Sequence, residues 1–393
     1  MTNNKVRGVS ATASFATQLS LDTDEIIVSD FNNEPLADLQ WNMRQIMVPE
    51  AHAINRGEAV TIGVIDGGIN TSHPDLASQI DYNKSVSCLG GVPNQEPGAI
   101  EDVAGHGTFV AGIIAAASNG IGITGVAPSS KLAIIKAATD EGLFLPEAVI
   151  CSFMWAGDKQ LDVTNNSYFV DPNLYNCHND SEQHAVWKAV RRAVKYAQLQ
   201  GVSIVVAAGN SNIDLAHPET FDDELSNACN IIPQDMPNVI VVSANGNLEE
   251  KADYSNYGVG VIDVVAPGGD RRNQVTEEAV NGRVLSTFPD FIAEFFLANI
   301  PPLAARIVKD CSSGVCAYYF YAQGTSFAAP HVTGVAALAI SQHGKMAPGA
   351  LQAVITSSAD SIACPVNSPE CEGGGGYNSF NGHGQVNAVE AVK

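Results

Sequence analysis

Four short stretches of the chain are almost continuously apolar and rich in β-branched residues. They are Ala59-Val60-Thr61-Ile62-Gly63-Val64-Ile65, Leu132-Ala133-Ile134-Ile135-Lys136-Ala137, Val202-Ser203-Ile204-Val205-Val206-Ala207-Ala208 and Val239-Ile240-Val241-Val242-Ser243. A strand with one face in water alternates apolar and polar side chains. Unbroken runs instead predict strands buried on both faces, as in a parallel sheet covered by helices. Between the runs the period lengthens to that of a helix. Residues His184 to Leu199 carry Val186, Ala189, Val190, Ala193, Val194 and Ala197 on one stripe. Gly107 to Ala117 is small and apolar, and Ser326 to Ser341 is apolar on every side, the mark of a central helix. Strands alternating with helices predict an α/β layer fold with a mainly parallel sheet. Ligands of such sheets bind beyond the carboxyl ends of the strands, where Asp66 and Asn210 both stand.

The pattern also divides the chain. Residues 1–36 are polar and without a period, and read as an N-terminal arm or the remnant of a pro-segment; regular organisation starts near Leu39. Residues 37–393 read as one domain. The stretch from Gly269 to Gln323 is long and suggests an insertion around residues 270–323. Within it, Phe288 to Lys309 has a helix-like apolar pattern broken by Pro301-Pro302. No repeat is visible.

Composition narrows the function classes. Of 393 residues, 20 are Lys or Arg and 42 are Asp or Glu, a net charge of −22. Such a surface repels nucleic acid and anionic membranes and attracts cations. No run of eighteen apolar residues exists, so no membrane-spanning helix is expected. The eight cysteines include two close pairs, Cys311 with Cys316 and Cys364 with Cys371. Both read as local disulfides, and disulfides imply an oxidising compartment and a secreted protein. Cys177, His178 and His184 lie close together but lack a full set of zinc ligands.

Three segments carry the candidate chemistry. Val64-Ile65-Asp66-Gly67-Gly68-Ile69 presents a carboxylate, Gly105-His106-Gly107-Thr108 an imidazole, and Gly324-Thr325-Ser326-Phe327-Ala328-Ala329-Pro330-His331 a hydroxyl. A serine hydroxyl is a poor nucleophile at neutral pH. It needs a histidine to take its proton and a carboxylate to hold that histidine in one tautomer. Ser326 also opens a helix, whose free N–H groups face any oxyanion that forms there. His331, His343 and His383 read as structural histidines.

The order Asp, His, Ser and the two signatures around His106 and Ser326 resemble the subtilisin-like serine peptidases over about residues 40 to 393. The resemblance implies a subtilisin-like three-layer fold with a mainly parallel central sheet, and an endopeptidase working through an acyl-enzyme. It makes Ser326 the nucleophile, His106 the general base and then acid, Asp66 the orienting carboxylate and Asn210 the oxyanion donor. Polypeptide substrates would lie as an added strand between an edge at Ser167, Tyr168 and Phe169 and one at Ala207, Ala208 and Gly209, with Ile231 at the pocket base. Phe169 stands where the family usually has a glycine, and would narrow or roof the pocket; an apolar or small residue before the cut is expected. A structural calcium ion would take the Asp75 carboxylate, the Asn119 side-chain oxygen and the carbonyls of Ala117, Ile121 and Ile123. A further ligand from the N-terminal arm is left open, with Asp38 as one candidate. An inhibitory pro-segment and a monomeric state are further expectations. Gly67 departs from the Ser or Thr common after the family's catalytic Asp, which removes a hydroxyl without touching the chemistry.

Other classes meet obstacles. A lipase of the α/β-hydrolase type needs Gly-x-Ser-x-Gly, whereas Phe327-Ala328-Ala329 follow Ser326. A catalytically silent binding protein has no need of an intact Asp66, His106, Ser326 and Asn210. An esterase or peptide ligase would use the same residues, and only amide against ester turnover separates them.

Overall fold

The computed structural model describes residues 30–366 and 368–393. The apolar runs form the middle of a seven-stranded sheet. In chain order its strands are β1 (Thr61–Asp66), β2 (Val86–Ser87), β3 (Lys131–Lys136), β4 (Val163–Asn166), β6 (Ser203–Ala207), β8 (Ile240–Asn245) and β9 (Val264–Pro267). Their spatial order is β2-β3-β1-β4-β6-β8-β9, and every pairing is parallel. The residues of β1, β4, β6 and β8 are buried throughout, which is why those segments do not alternate.

Helices cover both faces. On one side α3 (His106–Ala115) and α8 (Thr325–His343) pack against the sheet and each other, after the short α1 (Trp41–Gln45) and α2 (Val48–Ala51). On the other lie α4 (Pro146–Asp158) and α5 (Ser181–Leu199). In α5 the predicted stripe holds: Val190, Ala193, Val194 and Ala197 are buried, while Asp180 caps the helix by accepting the N–H groups of Glu182 and Gln183. Fifteen of the nineteen residues of α8 are buried, so its lack of a polar face reflects its central place.

The helix-like pattern of Phe288 to Lys309 is only partly helical. It gives α6 (Asp290–Asn299) and α7 (Pro301–Ala304), separated where Pro301 cannot continue the ladder, and then strand β11 (Ile307–Asp310). With β10 (Val284–Thr287) and β12 (Ala317–Ala322), β11 makes an antiparallel sheet in the order β10-β12-β11. β12 runs directly into the turn before α8, so this small sheet borders Ser326.

Four disulfides are present. Cys311–Cys316 and Cys364–Cys371 are the two local ones expected. Cys88–Cys151 joins two segments far apart in sequence, and Cys177–Cys229 ties β5 (Asn176–Cys177) to β7 (Cys229–Asn230). Residues 1–29 of the expected arm lie outside the described residues. Structure begins before Leu39: a helical turn spans Asp30–Asn33, and Phe31 is buried in the main core.

Candidate active site

The sheet and the helices on the α3–α8 side bring the three motifs together. Asp66 ends β1 and is 1% exposed, His106 opens α3, and Ser326 is the second residue of α8. The glycines around His106 are steric necessities. Gly105 sits at φ +88°, and a β-carbon there would lie 2.6 Å from the Phe288 ring. A β-carbon on Gly107 would lie 2.1 Å from the Gly68 carbonyl oxygen. Only without those side chains does α3 start against the end of β1.

His106 Nδ1 lies 2.9 and 3.0 Å from the two carboxylate oxygens of Asp66. An ionised carboxylate only accepts, so Nδ1 carries the proton and Nε2 keeps its lone pair. The imidazole is 36% exposed, and it packs 5.6 Å from the Phe327 ring. Burial pulls the His106 pKa down, but the charge and hydrogen bond of Asp66, with a smaller contribution from Asp102, outweigh it and raise it above the ordinary value.

Asp102 escaped the sequence reading. Its Oδ1 accepts the N–H groups of Ala104 and Gly105, and its Oδ2 accepts the N–H and hydroxyl of Thr108. It thereby fixes the turn that delivers His106. The available signal was an Asp four residues before His106, able to fold a turn onto its own side chain.

Ser326 Oγ donates to the Ser167 carbonyl at 3.4 Å, not to His106. Such contacts often form only with substrate bound. Ser167 returns the contact, its hydroxyl donating to the Ser326 carbonyl at 2.9 Å. Asn210 follows β6, and its side-chain oxygen accepts both the N–H and the hydroxyl of Thr325. That use of the oxygen leaves its NH₂ group for the site.

One cavity of about 600 Å³ gathers these groups. Its lining includes Asp66, His106, Asn210 and Ser326, and also each expected substrate contact: Ser167, Tyr168, Phe169, Ala207, Ala208, Gly209 and Ile231. Phe169 is 39% exposed at the rim and Ile231 is 3% exposed. The sequence reading missed Phe144, whose ring stacks on Tyr168 at 4.2 Å, and Asn256. Asn256 braces the 207–213 edge by donating to the Ala208 carbonyl and accepting the N–H groups of Ser211 and Ile213.

Comparison with known proteins decides the family. The chain matches the subtilase family model, Peptidase S8, over residues 57–384. It belongs to the subtilase family. Subtilisin BL of Lederbergia lenta is 30% identical over 303 residues, covering 76% of this chain and 82% of that protein. The nisin leader peptide-processing serine protease NisP of Lactococcus lactis subsp. lactis is 28% identical over 363 residues, covering 87% of this chain. The chain spans 48% of the length of NisP. Among solved structures, a lanthipeptide protease superposes with a TM-score of 0.69 at 25% identity, covering 90% of this chain and 95% of that one. The subtilisin-like α/β fold is therefore that of the family.

The expected calcium residues of this subtilase also converge. Asp75 is fully buried; one carboxylate oxygen accepts the Tyr319 hydroxyl at 2.7 Å, and the other has no hydrogen-bond partner among the described residues. Burial pushes its pKa up to about 8. The carbonyls of Ala117, Ile121 and Ile123 accept no hydrogen bond from the described residues. The Asn119 side-chain oxygen accepts the Ile121 N–H within the same loop. An orphaned carboxylate oxygen beside free carbonyls suits a hard cation. The acidic group that the N-terminal segment brings to this loop is Glu34, not Asp38. Glu34 is 4% exposed with its carboxylate 3.0 Å from the Gly120 N–H, whereas Asp38 is exposed. A second group, Asp214, His217 and Glu372, is open to solvent, and His217 Nδ1 already bonds Asp214 at 2.9 Å.

Proposed function

We propose that this chain is a serine endopeptidase in which Ser326, His106, Asp66 and Asn210 carry the reaction. One observation supports this above the others: His106 is held by a buried carboxylate through Nδ1 while its ring opens onto the cavity that also holds Ser326. His106 Nε2 takes the Ser326 proton as Oγ attacks the peptide carbonyl. The tetrahedral oxyanion receives the Asn210 NH₂ and the Ser326 N–H at the start of α8. His106 then protonates the leaving amine. The same residue activates the water that releases the acyl group, restoring Ser326. The substrate lies against the 167–169 and 207–209 edges, with an apolar or small side chain before the cut entering the pocket towards Ile231.

Asp75, Asn119, the carbonyls of Ala117, Ile121 and Ile123, and Glu34 would hold a structural calcium ion. Such an ion supplies positive charge to a loop that otherwise buries a carboxylate, and takes no part in the chemistry. Residues 37–393 form one peptidase domain, with 270–323 added beside Ser326. The four disulfides support a secreted protein. A monomer held inactive by a pro-segment fits this reading.

A fluorophosphonate probe should label Ser326, and Ser326→Ala should abolish both labelling and cleavage of a fluorogenic peptide. Cleavage that survives Ser326→Ala and resists a metal chelator would exclude this assignment.

A further inference from the structure

The small sheet beside Ser326 gathers positive charge in a protein that has little. Arg283 immediately precedes Val284, which pairs with Ala322, so the antiparallel register sets Arg283 opposite Gln323. Arg306 exchanges hydrogen bonds with Tyr321: its carbonyl accepts the Tyr321 N–H at 2.9 Å, and its Nε donates to the Tyr321 carbonyl at 2.7 Å. The backbone N–H of Arg271 donates to the Gln323 side-chain oxygen at 3.0 Å. Three arginines therefore surround one strand end, three residues before Ser326.

None of the three forms an ion pair among the described residues. Arg272, next in sequence, shows the contrast: it pairs with Asp253 at 2.7 Å. Glu277 and Glu278, on the same loop as Arg271, are exposed and bond none of the three. With 42 acidic side chains against 20 basic ones, three arginines without a carboxylate partner are contrary to composition; Arg306 lies over the Phe320 ring instead, 4.1 Å from its centroid. Holding like charges together costs free energy unless an anion offsets them. Burial first, then the neighbouring charges of Arg283 and Arg271, hold the Arg306 guanidinium down to about 10.

The position suggests which anion. The cavity runs from Ser326 past the 167–169 and 207–209 edges towards Phe144, the side assigned to residues before the cut. Neither Gln323 nor the three arginines line that cavity, while Gln323 stands between β12 and α8, on the segment that leads into Ser326. We propose that Arg271, Arg283 and Arg306 form a carboxylate-recognition surface for acidic side chains on the residues that follow the cut. Guanidinium groups suit this task, since their donors match a carboxylate in plane and stay charged at every physiological pH. The proposal rests on the peptidase reading above.

The test uses two internally quenched peptides, identical up to the cut and carrying either Asp-Glu or Lys-Lys at the second and third positions after it. A coumarin amide with the same residues before the cut and none after it completes the set. The acidic peptide should have the higher kcat/KM, by about fivefold to tenfold at low salt, and the advantage should shrink at about 0.5 M salt. Arg271 is exposed and its side chain makes no hydrogen bond among the described residues, so it can be changed without opening the core. Arg271→Glu should abolish or reverse the preference, and Arg271→Lys should keep most of it. Equal turnover of the two peptides, a preference for lysine, or an unchanged ratio in Arg271→Glu would overturn the proposal. Coumarin amide hydrolysis that depends on Ser326 tests the peptidase reading separately. If none of the three substrates is cleaved, both fall.

Discussion

The side-chain oxygen of Asn210 accepts two hydrogen bonds from Thr325, the N–H at 2.8 Å and the hydroxyl at 2.9 Å. The two residues are 115 positions apart in sequence, and Thr325 is the immediate neighbour of Ser326. The contact fixes which end of the carboxamide is free. Asn210→Ala should lower kcat by roughly 10²–10³ with a much smaller change in KM, because the lost donor acts mainly in the transition state. Thr325→Val keeps the N–H but loses the hydroxyl, which donates to Asn210 and accepts the Gly209 N–H at 3.0 Å, and should cost about thirtyfold, near the value of two neutral hydrogen bonds. Steady-state kinetics on a single peptide checks both. Near-normal turnover in Asn210→Ala would place the oxyanion donor elsewhere.

The pH profile follows from Asp66 and His106. Protonated His106 cannot act as a base, so activity is lost at low pH and rises as the ring gives up its proton. Asp66 and Asp102 raise that pKa, so the acid limb of kcat/KM should lie above the ordinary histidine value of about 6.5. Asp66→Asn removes the charge and the tautomer control. It should cut kcat by about 10⁴ and move the limb to lower pH. A limb that does not move would detach His106 from it.

Calcium should raise the melting temperature. A cation that binds only the folded state adds about 2.7 kcal/mol at a hundredfold excess over Kd. Asp75→Ala should remove most of that response, and Glu34→Gln part of it. Magnesium, which keeps its water and prefers a tighter octahedral site, should stabilise less. Differential scanning fluorimetry with a chelator control makes the comparison. Equal responses to the two ions, or an undiminished calcium response in Asp75→Ala, would argue for screening of a charge of −22 instead of a built site.

Acid lability should come in part from His331. Its Nδ1 donates to the Phe327 carbonyl at 2.7 Å, so Nε2 accepts from Asn42 Nδ2 at 2.8 Å and the ring is neutral. Burial, opposed only by the Phe327 contact, holds its pKa down to about 4. The unfolded chain protonates this histidine near 6.5 and the native chain does not until about 4. The stabilisation is therefore complete above 6.5 and is lost as pH falls through that window, by roughly 3 kcal/mol. Urea unfolding from pH 7 down to 4.5 should show stability falling, with a shallower fall in His331→Gln. Parallel curves for the two proteins would refute this.

Much was legible in the chain itself. Strands buried on both faces leave unbroken apolar runs, so β1, β3, β6 and β8 could be read locally, as could the stripe of α5. The segments around Asp66, His106 and Ser326 could be picked out because each sets one reactive side chain among small residues, in the family's order, and Asn210 entered through that resemblance; the steric reason for Gly105 and Gly107, the approach of Phe288 and Gly68, belongs to the fold. The local disulfides could be read from spacing, since five or seven residues already hold the cysteines close.

What remained hidden depended on partners distant in sequence. Ile307 to Lys309 closed a helix-like apolar pattern, yet pairing with β12 made them part of a strand, because a ladder neighbour outweighs local period in a short segment. Glu34, not Asp38, reaches the 117–123 loop because the fold of the N-terminal segment decides which side chain turns inward. Asp102 binds a turn, Asn256 braces an edge, and Arg271, Arg283 and Arg306 meet around Gln323 from three separate segments. Sequence determined which groups could react; only tertiary packing set their distances, burial and neighbouring charges, on which their hydrogen bonds and pKa values depend.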